Sequence, residues 1–368
     1  MGGMNRRQIL IGSGGLAALG AGATWLSLAQ MGSASDYADA TRAMRAVMSE
    51  QPETREFIRY ATLAPNSHNT QAWKFALAPG LITILPDFTR RTPVVDPDDH
   101  HLFVSLGCAA ENLLLASAAH GRRGEPTFDD AGGGSITFAH QPAPGRESVR
   151  FGAIPVRQST RAEFDGRGVD SARLSALAEA ASDPAVETVL ITDRPVMDRI
   201  RDLVVAGNSA QMADAAFIRE LKSWLRFNPR QALRTGDGLY SATTGNPALP
   251  DWLGPLAFDR MASARSGNDK YSRQIRSSAG IAVFFGARED PAHWVAVGRA
   301  CQRFALEATA LGLKHAFINQ PVEVPALRPE LASLIGLPGR RPDVVMRFGY
   351  GALLPYASRR PVAEVIAA

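Results

Sequence analysis

The chain has 368 residues, 45% apolar and 21% charged, with a formal net charge of only +4. That suits a soluble globular protein of one large or two ordinary domains. The pI of about 9.3 comes from a small, scattered excess of arginine; no basic run interleaves with aromatics, which argues against a nucleic-acid partner.

Taken in chain order, the first thirty residues differ from the rest. Arg6-Arg7 precedes an apolar stretch from Ile9 to Ala29, rich in Gly and Ala, and the first acidic residue is Asp36. This reads as an export signal over residues 1–34, with small residues at Gly32-Ser33-Ala34 for cleavage. The arginine pair resembles a twin-arginine signal, which implies the twin-arginine export machinery as partner and an exported or periplasmic protein. A membrane anchor is the alternative, since the stretch is about long enough to span. Any membrane contact is then expected through the N-terminus only. Export would permit disulfides, but Cys108 and Cys301 sit in apolar helical patterns and read as buried free thiols.

Helices are expected over residues 36–50 and 53–63, the second ended by Pro65. Strands follow over 73–77 and 81–85. Asp98 or Asp99 is expected to cap a long helix stopped by Gly121, with a short strand over 135–138 after it. Residues 142–146 read as a boundary between a first lobe, 35–145, and a second, 146–368. The second lobe should hold a helix over 172–181, a strand over 187–192 and helices over 195–206 and 209–226. Residues 228–272, rich in Gly, Pro, Asn and Ser, read as an irregular lid-like insert. A strand over 281–286, a helix over 291–311 stopped by Gly312, and strands over 314–318 and 344–348 complete the pattern.

The two long helices repeat. Gly107 precedes Gly121 by fourteen residues, as Gly298 precedes Gly312. A fainter match aligns Ile58 through Ser67 with Ile200 through Ser209. Two copies fit a duplication that fused two halves.

Few residues carry chemistry. Arg157, Ser159 and Arg161 place two guanidinium groups and a hydroxyl within five residues, a set suited to a phosphomonoester; a solvated surface turn is the other reading. Asn66, Ser67, Asn69 and Gln71 cluster between a helix and a strand, where amides could meet the alternating carbonyl and N–H groups of a flavin edge; a capping turn is the plainer one. Asp98-Asp99-His100-His101 suggests metal ligands, but adjacent histidines on a helix should diverge by roughly a hundred degrees, so a cap is expected and no metal.

Ala64-Pro65-Asn66-Ser67-His68-Asn69-Thr70-Gln71-Ala72-Trp73 resembles the A-P-S-x-x-N-x-Q-P-W segment of the FMN-dependent nitroreductase family. Arg157-x-Ser159-x-Arg161-x-x-Phe164 resembles its R-x-S-x-R-x-F opening, and Phe348-Gly349-Tyr350 with Pro355 and Arg359-Arg360-Pro361 resembles its closing segment. The resemblance covers most of residues 50–366. It implies an α+β fold of two pseudo-symmetric lobes, each a mainly antiparallel sheet packed by helices. Because each lobe lacks the piece the other keeps, it also implies one composite flavin site between them. Arg157, Ser159 and Arg359 would hold the FMN phosphate, and Arg161 phosphate or ribityl oxygens. Pro65, Asn66, Ser67 and Asn69, with Gln71, would face the ring and ribityl chain. A backbone group near Phe317-Ile318-Asn319 would approach the reactive flavin nitrogen. Asn66 replaces the family's Ser and Ala72 its Pro.

The function so implied is an FMN oxidoreductase passing hydride from NAD(P)H to a nitro, quinone or similar small-molecule acceptor, with no catalytic side chain required. The alternative is a flavin-binding or sequestering protein whose 228–272 insert, with Trp252, covers the flavin and blocks turnover.

Overall fold

A computed structural model describes residues 30–367. Apart from its last few residues, the stretch read as an export signal lies outside the described residues. Ser33 opens the fold. Its hydroxyl accepts from the Ser35 and Asp36 amides and caps α1 (Ala34–Met44). Helix α2 (Thr54–Thr62) ends ahead of Pro65, as expected.

The first sheet begins with the hairpin of β1 (Trp73–Ala78) and β2 (Leu81–Pro86). The chain then runs through α3 (His100–Ala119) before returning as β3 (Pro126–Asp129) and β4 (Ser135–Ala139). The strand order is β1-β2-β4-β3, antiparallel throughout. Ile82, Ile84, Ile136 and Phe138 point to one face and are fully buried. That alternation is what a sheet packed on one side requires.

The rest of the chain supplies α4 (Ser171–Ala181), β5 (Val186–Ile191), α5 (Arg194–Ala213), α6 (Ala215–Trp224), α7 (Pro229–Thr235), α8 (Leu253–Met261) and α9 (Ala264–Arg276). Then come β6 (Gly280–Gly286), α10 (Pro291–Ala310), β7 (Lys314–Phe317), α11 (Arg328–Leu334) and β8 (Val344–Gly349). The second sheet has the order β7-β8-β6-β5, again antiparallel. Every residue of β6 is buried. Ala282 and Phe284 join the core shared with the first sheet; Ile281, Val283 and Phe285 join a second core against α5. A continuous apolar run is the signature of a strand covered on both faces. The fold is therefore α+β, with helices packed on two four-stranded antiparallel sheets.

Helices α3 and α10 cross at the centre of the shared core, and the crossing depends on two glycines. A Cβ on Gly107 would lie 2.1 Å from the Val295 carbonyl oxygen, and one on Gly298 would lie 2.0 Å from that of Val104. The contacts are reciprocal. Further along, Gln302 Nε2 donates to Asn112 Oδ1 at 2.6 Å, while Arg299 and Arg303 pair with Glu111 at 3.0 and 3.3 Å. Cys108 and Cys301 are buried and free, the Cys108 thiol donating to the Gly298 carbonyl.

Two sequence expectations need correction. Residues 228–272 are not irregular: they fold into α7, α8 and most of α9, and the glycines at 236, 238 and 245 are left-handed turns between short elements. Helix α5 does not break at Gly207 but runs on to Ala213. Gly207 is instead a packing position, where a Cβ would meet Gln320 at 2.7 Å. The segment matched to the Pro65–Ser67 loop is thus helical.

Candidate functional site

The loop after α2 is strained. His68, Asn69 and Gln71 all have positive φ, at 47°, 55° and 53°. Non-glycine residues in that region each cost of order 1–3 kcal/mol and persist only where neighbours fix them. Here most of the neighbours come from two distant stretches, 236–238 and 358–360. Asn69 Nδ2 donates to the carbonyls of Gly238 and Ser358, and its Oδ1 accepts from Arg359. Gln71 Nε2 donates to the Gly236 carbonyl, and its Oε1 accepts from the Arg360 amide. Asn66 Oδ1 closes the loop by accepting from the Gln71 amide at 2.8 Å.

Arg359 is the centre of this knot. Its Nε donates to the Thr62 carbonyl, one terminal nitrogen to Asn69 Oδ1 and the Ser358 carbonyl, and the other to the carbonyls of Leu63 and Ala64. All five of its N–H groups are occupied. The phosphate role expected for Arg359 is therefore corrected: in this geometry it clamps the C-terminal carbonyls of α2. Asn69 and Gln71 likewise brace the loop instead of facing a ligand.

Under the loop lies a cavity of about 410 Å³, within the range that holds cofactors and small ligands. Pro65, Asn66, Ser67 and Arg161 line it, as do Phe317 and Asn319 beside β7. One wall is apolar, from Phe217, Leu221, Phe227, Leu239 and Phe258; the floor includes Val104 and Cys108 of α3. Trp252 does not line the cavity and is largely exposed, so it does not cover the site as expected.

Arg157 and Ser159 sit behind the cavity lining. Arg157 is buried, donating to the Leu63 carbonyl at 2.8 Å and to the Ser159 hydroxyl at 3.4 Å. Its Nε is buried without a partner, as are both ring nitrogens of His315. The two residues belong to one neighbourhood: the Ser159 backbone pairs with that of His315, whose pKa is pulled well down by burial and then by Arg157. Burial pulls Arg157 down to about 10 and Arg45 to about 9, with Arg157 the next cause for Arg45. Arg359 is also lowered, by burial and then by Arg45 and Arg157. No carboxylate offsets these three charges among the described residues. Three buried guanidinium groups without an acid favour an anion.

Several cavity residues carried no usable sequence signal. His68 is lowered to about 4 by burial, then by Arg161 and His101. Glu323 is raised by burial and accepts from Gln211 Nε2 at 2.6 Å. Lys270 and Tyr271, both from α9, add an ammonium and a phenol. Asn208 and Gln211 arrive from α5.

The cap of α3 also differs from expectation. Asp99 makes no capping bond; Asp96 does, accepting from the amides of His101 and Leu102 at 3.0 Å each. The His100 and His101 rings do not diverge but lie 4.5 Å apart. Ligand atoms of Asp96, His100 and His101 fall within 4.8 Å of one another. The Asp96 carboxylate is nevertheless committed to the cap, and His100 Nε2 lies 2.8 Å from Asp343.

No family model matches the chain. A Mycobacterium tuberculosis protein provisionally named as an NAD(P)H nitroreductase is 24% identical over 339 residues, covering 88% of this chain and 94% of that protein. A second from the same species, provisionally named NAD(P)H nitroreductase acg, is 21% identical over 84% of this chain and 93% of its own length. Among solved structures, a Desulfitobacterium hafniense nitroreductase with bound FMN is 16% identical, covering 61% of this chain and 99% of its own, with a TM-score of 0.38. The FMN-dependent nitroreductase NfnB of Mycobacterium smegmatis, in complex with NADPH, is 13% identical, covering 59% of this chain and 96% of its own, with a TM-score of 0.39.

Proposed function

We propose that the chain is an FMN-binding oxidoreductase of the nitroreductase type, taking hydride from NAD(P)H and delivering it to a nitro, quinone or similar small acceptor. The observation that carries this reading is the buried arginine cluster, without a carboxylate, behind a ligand-sized cavity. A flavin phosphate has the matching charge, and the unpartnered Arg157 Nε and His315 ring supply free polar positions for it. Arg157 and Ser159 hold the phosphate, with Arg45 and Arg359 adding field from the second row. Arg161, Pro65, Asn66 and Ser67 face the remainder of the cofactor. Bound FMN supplies the hydride chemistry; the chain binds it, orients it and excludes water with the Phe217, Leu221 and Phe258 wall. The names of the curated relatives support the same reading.

The reciprocal Gly107 and Gly298 contacts support descent of the two halves from one duplicated unit. The Arg6-Arg7 pair and the apolar stretch behind it support delivery by twin-arginine export.

The apolar wall over the cavity favours a second reading, in which flavin is held but shielded from the donor. One experiment separates them. The purified chain is titrated with FMN and then mixed with NADPH without oxygen. Retained flavin colour that bleaches supports the oxidoreductase; retained colour that persists supports the flavin-holding protein. Failure to retain FMN removes both. Arg157→Ala is expected to weaken FMN binding by roughly 1.5–3 kcal/mol, the range of a hydrogen bond to a charged group.

A further inference from the structure

Helix α9 turns a polar face to the cavity. Ser266, Gly267, Lys270, Tyr271 and Gln274, spaced for one side of a helix, all line it. Gln274 Nε2 donates to the Arg161 carbonyl and ties this face to the segment that carries Arg161. Two cations meet here without an acid between them. The Lys270 pKa is lowered by burial first and then by Arg161, Arg273 and Arg347. Lys270 Nζ donates once, to the Thr244 carbonyl at 2.7 Å, and keeps two N–H groups. The Arg161 guanidinium has no hydrogen bond or ion pair among the described residues, and burial lowers its pKa as well. Among the described residues that line the cavity, Glu323 is the one carboxylate; it accepts from Gln211, and the charges acting on it are those of His101 and Asp96. Glu163 is paired outside the cavity with the exposed Arg273.

This pole is separate from the buried arginines behind the cavity. The charges acting on Lys270 do not include Arg45, Arg157 or Arg359. FMN carries its charge on the phosphate, and the oxidised flavin ring is neutral. The arginine cluster therefore answers the whole charge of the cofactor and leaves Lys270 without an anion. Arg161 has five donors and can serve the cofactor with some of them; Lys270 lies outside every residue assigned to the cofactor. A desolvated cation without a counter-charge is costly, and it selects a partner of opposite sign. A donor dinucleotide matches poorly, because its several phosphates need more than this one pole and a cavity of about 410 Å³ already takes the flavin. A small ring with a single acid group matches well. Phe217 and Phe258 of the same cavity offer it an aromatic wall.

We propose that Lys270, backed by Arg161, receives the carboxylate of the electron acceptor, so that the preferred substrates are small aromatic acids bearing a nitro or quinone group. The anion site stands on the cavity alone; the acceptor assignment rests on the oxidoreductase reading above. Lys270 is then a specificity residue, which holds the acid end of the ring and does no chemistry on it.

The test titrates benzoate, which has no group to reduce, into the full chain with and without FMN, with benzyl alcohol as its uncharged counterpart and heat as the signal. The chain is expected to bind benzoate in preference to the alcohol. Lys270 is only partly buried, so Lys270→Gln keeps the fold. It should weaken benzoate by roughly tenfold or more, the loss of one hydrogen bond to a charged group, and Lys270→Arg should restore most of the affinity. No benzoate binding, equal binding of acid and alcohol, or a benzoate affinity that Lys270→Gln leaves intact overturns the anion site. A matching loss of FMN or NADP+ affinity in Lys270→Gln assigns the lysine to the cofactor or the donor and overturns it as well. In a second arm, the ratio of kcat/KM for para-nitrobenzoate to that for para-nitrobenzyl alcohol should fall by roughly tenfold in Lys270→Gln, mainly through KM. A ratio that does not move overturns the acceptor assignment. If the wild-type chain retains no FMN, the oxidoreductase reading fails, while the titration without FMN still decides the anion site.

Discussion

Gly298→Ala is a direct probe of the crossing that supports the site. Its new Cβ would stand 2.0 Å from the Val104 carbonyl oxygen, where real contacts stop at about 3.0 Å. The backbone on the other side has no rotamer with which to yield. Helices α3 and α10 must therefore separate by at least 1.0 Å, the difference between those two distances. Overpacking of this kind costs about 1–3 kcal/mol, and a rigid partner places it at the upper end. Replacing glycine inside a helix returns about 1 kcal/mol. The net loss expected is roughly 2 kcal/mol, read from the urea midpoint at unchanged slope. Gly152→Ala, where a Cβ meets nothing within 4 Å, is the control and should be neutral or slightly stabilising. Because the contacts are reciprocal, one separation relieves both clashes, and Gly107→Ala/Gly298→Ala should cost clearly less than the sum of the singles. Val104 and Cys108 form the cavity floor, so FMN affinity should fall in parallel. If Gly298→Ala is no less stable than Gly152→Ala, the close crossing is not what sets this core.

Arg359→Lys keeps a charge but cannot reach five acceptors, and should destabilise the chain by about 2–3 kcal/mol; unchanged denaturant midpoints would refute the clamp. Glu323 faces the cavity with a raised pKa, so reduction of a proton-requiring acceptor should decline as pH rises through that pKa. Glu323→Gln should flatten that limb of the rate profile, and a limb that persists would clear Glu323 of the role. His68, lowered to about 4 from 6.5, is neutral in the folded chain while its unfolded form takes up a proton below 6.5. Stability from this group is therefore complete above 6.5 and lost as pH falls toward 4, about 2 kcal/mol by pH 5. Urea midpoints at pH 7 and 5 should differ less in His68→Gln than in the parent chain.

Elements with strong local signals were legible in the sequence. The run from Ile281 to Gly286 read as a strand, and Gly121 and Gly312 marked the ends of the two long helices. The stretch 228–272 misled because its helices are short and its glycines dense, so turns between helices looked like absence of helix. Gly207 misled for the opposite reason: its missing Cβ serves Gln320, not a helix stop. In the site, Pro65–Ser67 and Arg161 were readable as compact motifs. Asn69, Gln71 and Arg359 were legible as important but not as braces, because their partners are backbone carbonyls far away in sequence. His68, Lys270, Tyr271 and Glu323 come from separated stretches and share no spacing. Only the raised or lowered acidity that burial imposes marks His68 and Glu323 as unusual, and burial is a property of the folded chain.

The knot around Arg359 also has a consequence for how the protein is made. The strained loop at 67–71 is held by Gly236 and Gly238, 165–169 positions later in the sequence, and by residues 358–360, 289–290 positions later. A ribosome reaches residues 358–360 some 290 positions after the loop, so the loop lacks the Ser358, Arg359 and Arg360 contacts for most of that stretch of synthesis. The loop over the ligand cavity is therefore fixed in full only once residues 358–360 have docked. A chain cut short before Ser358 could fold both sheets and still lack the roof of its own site.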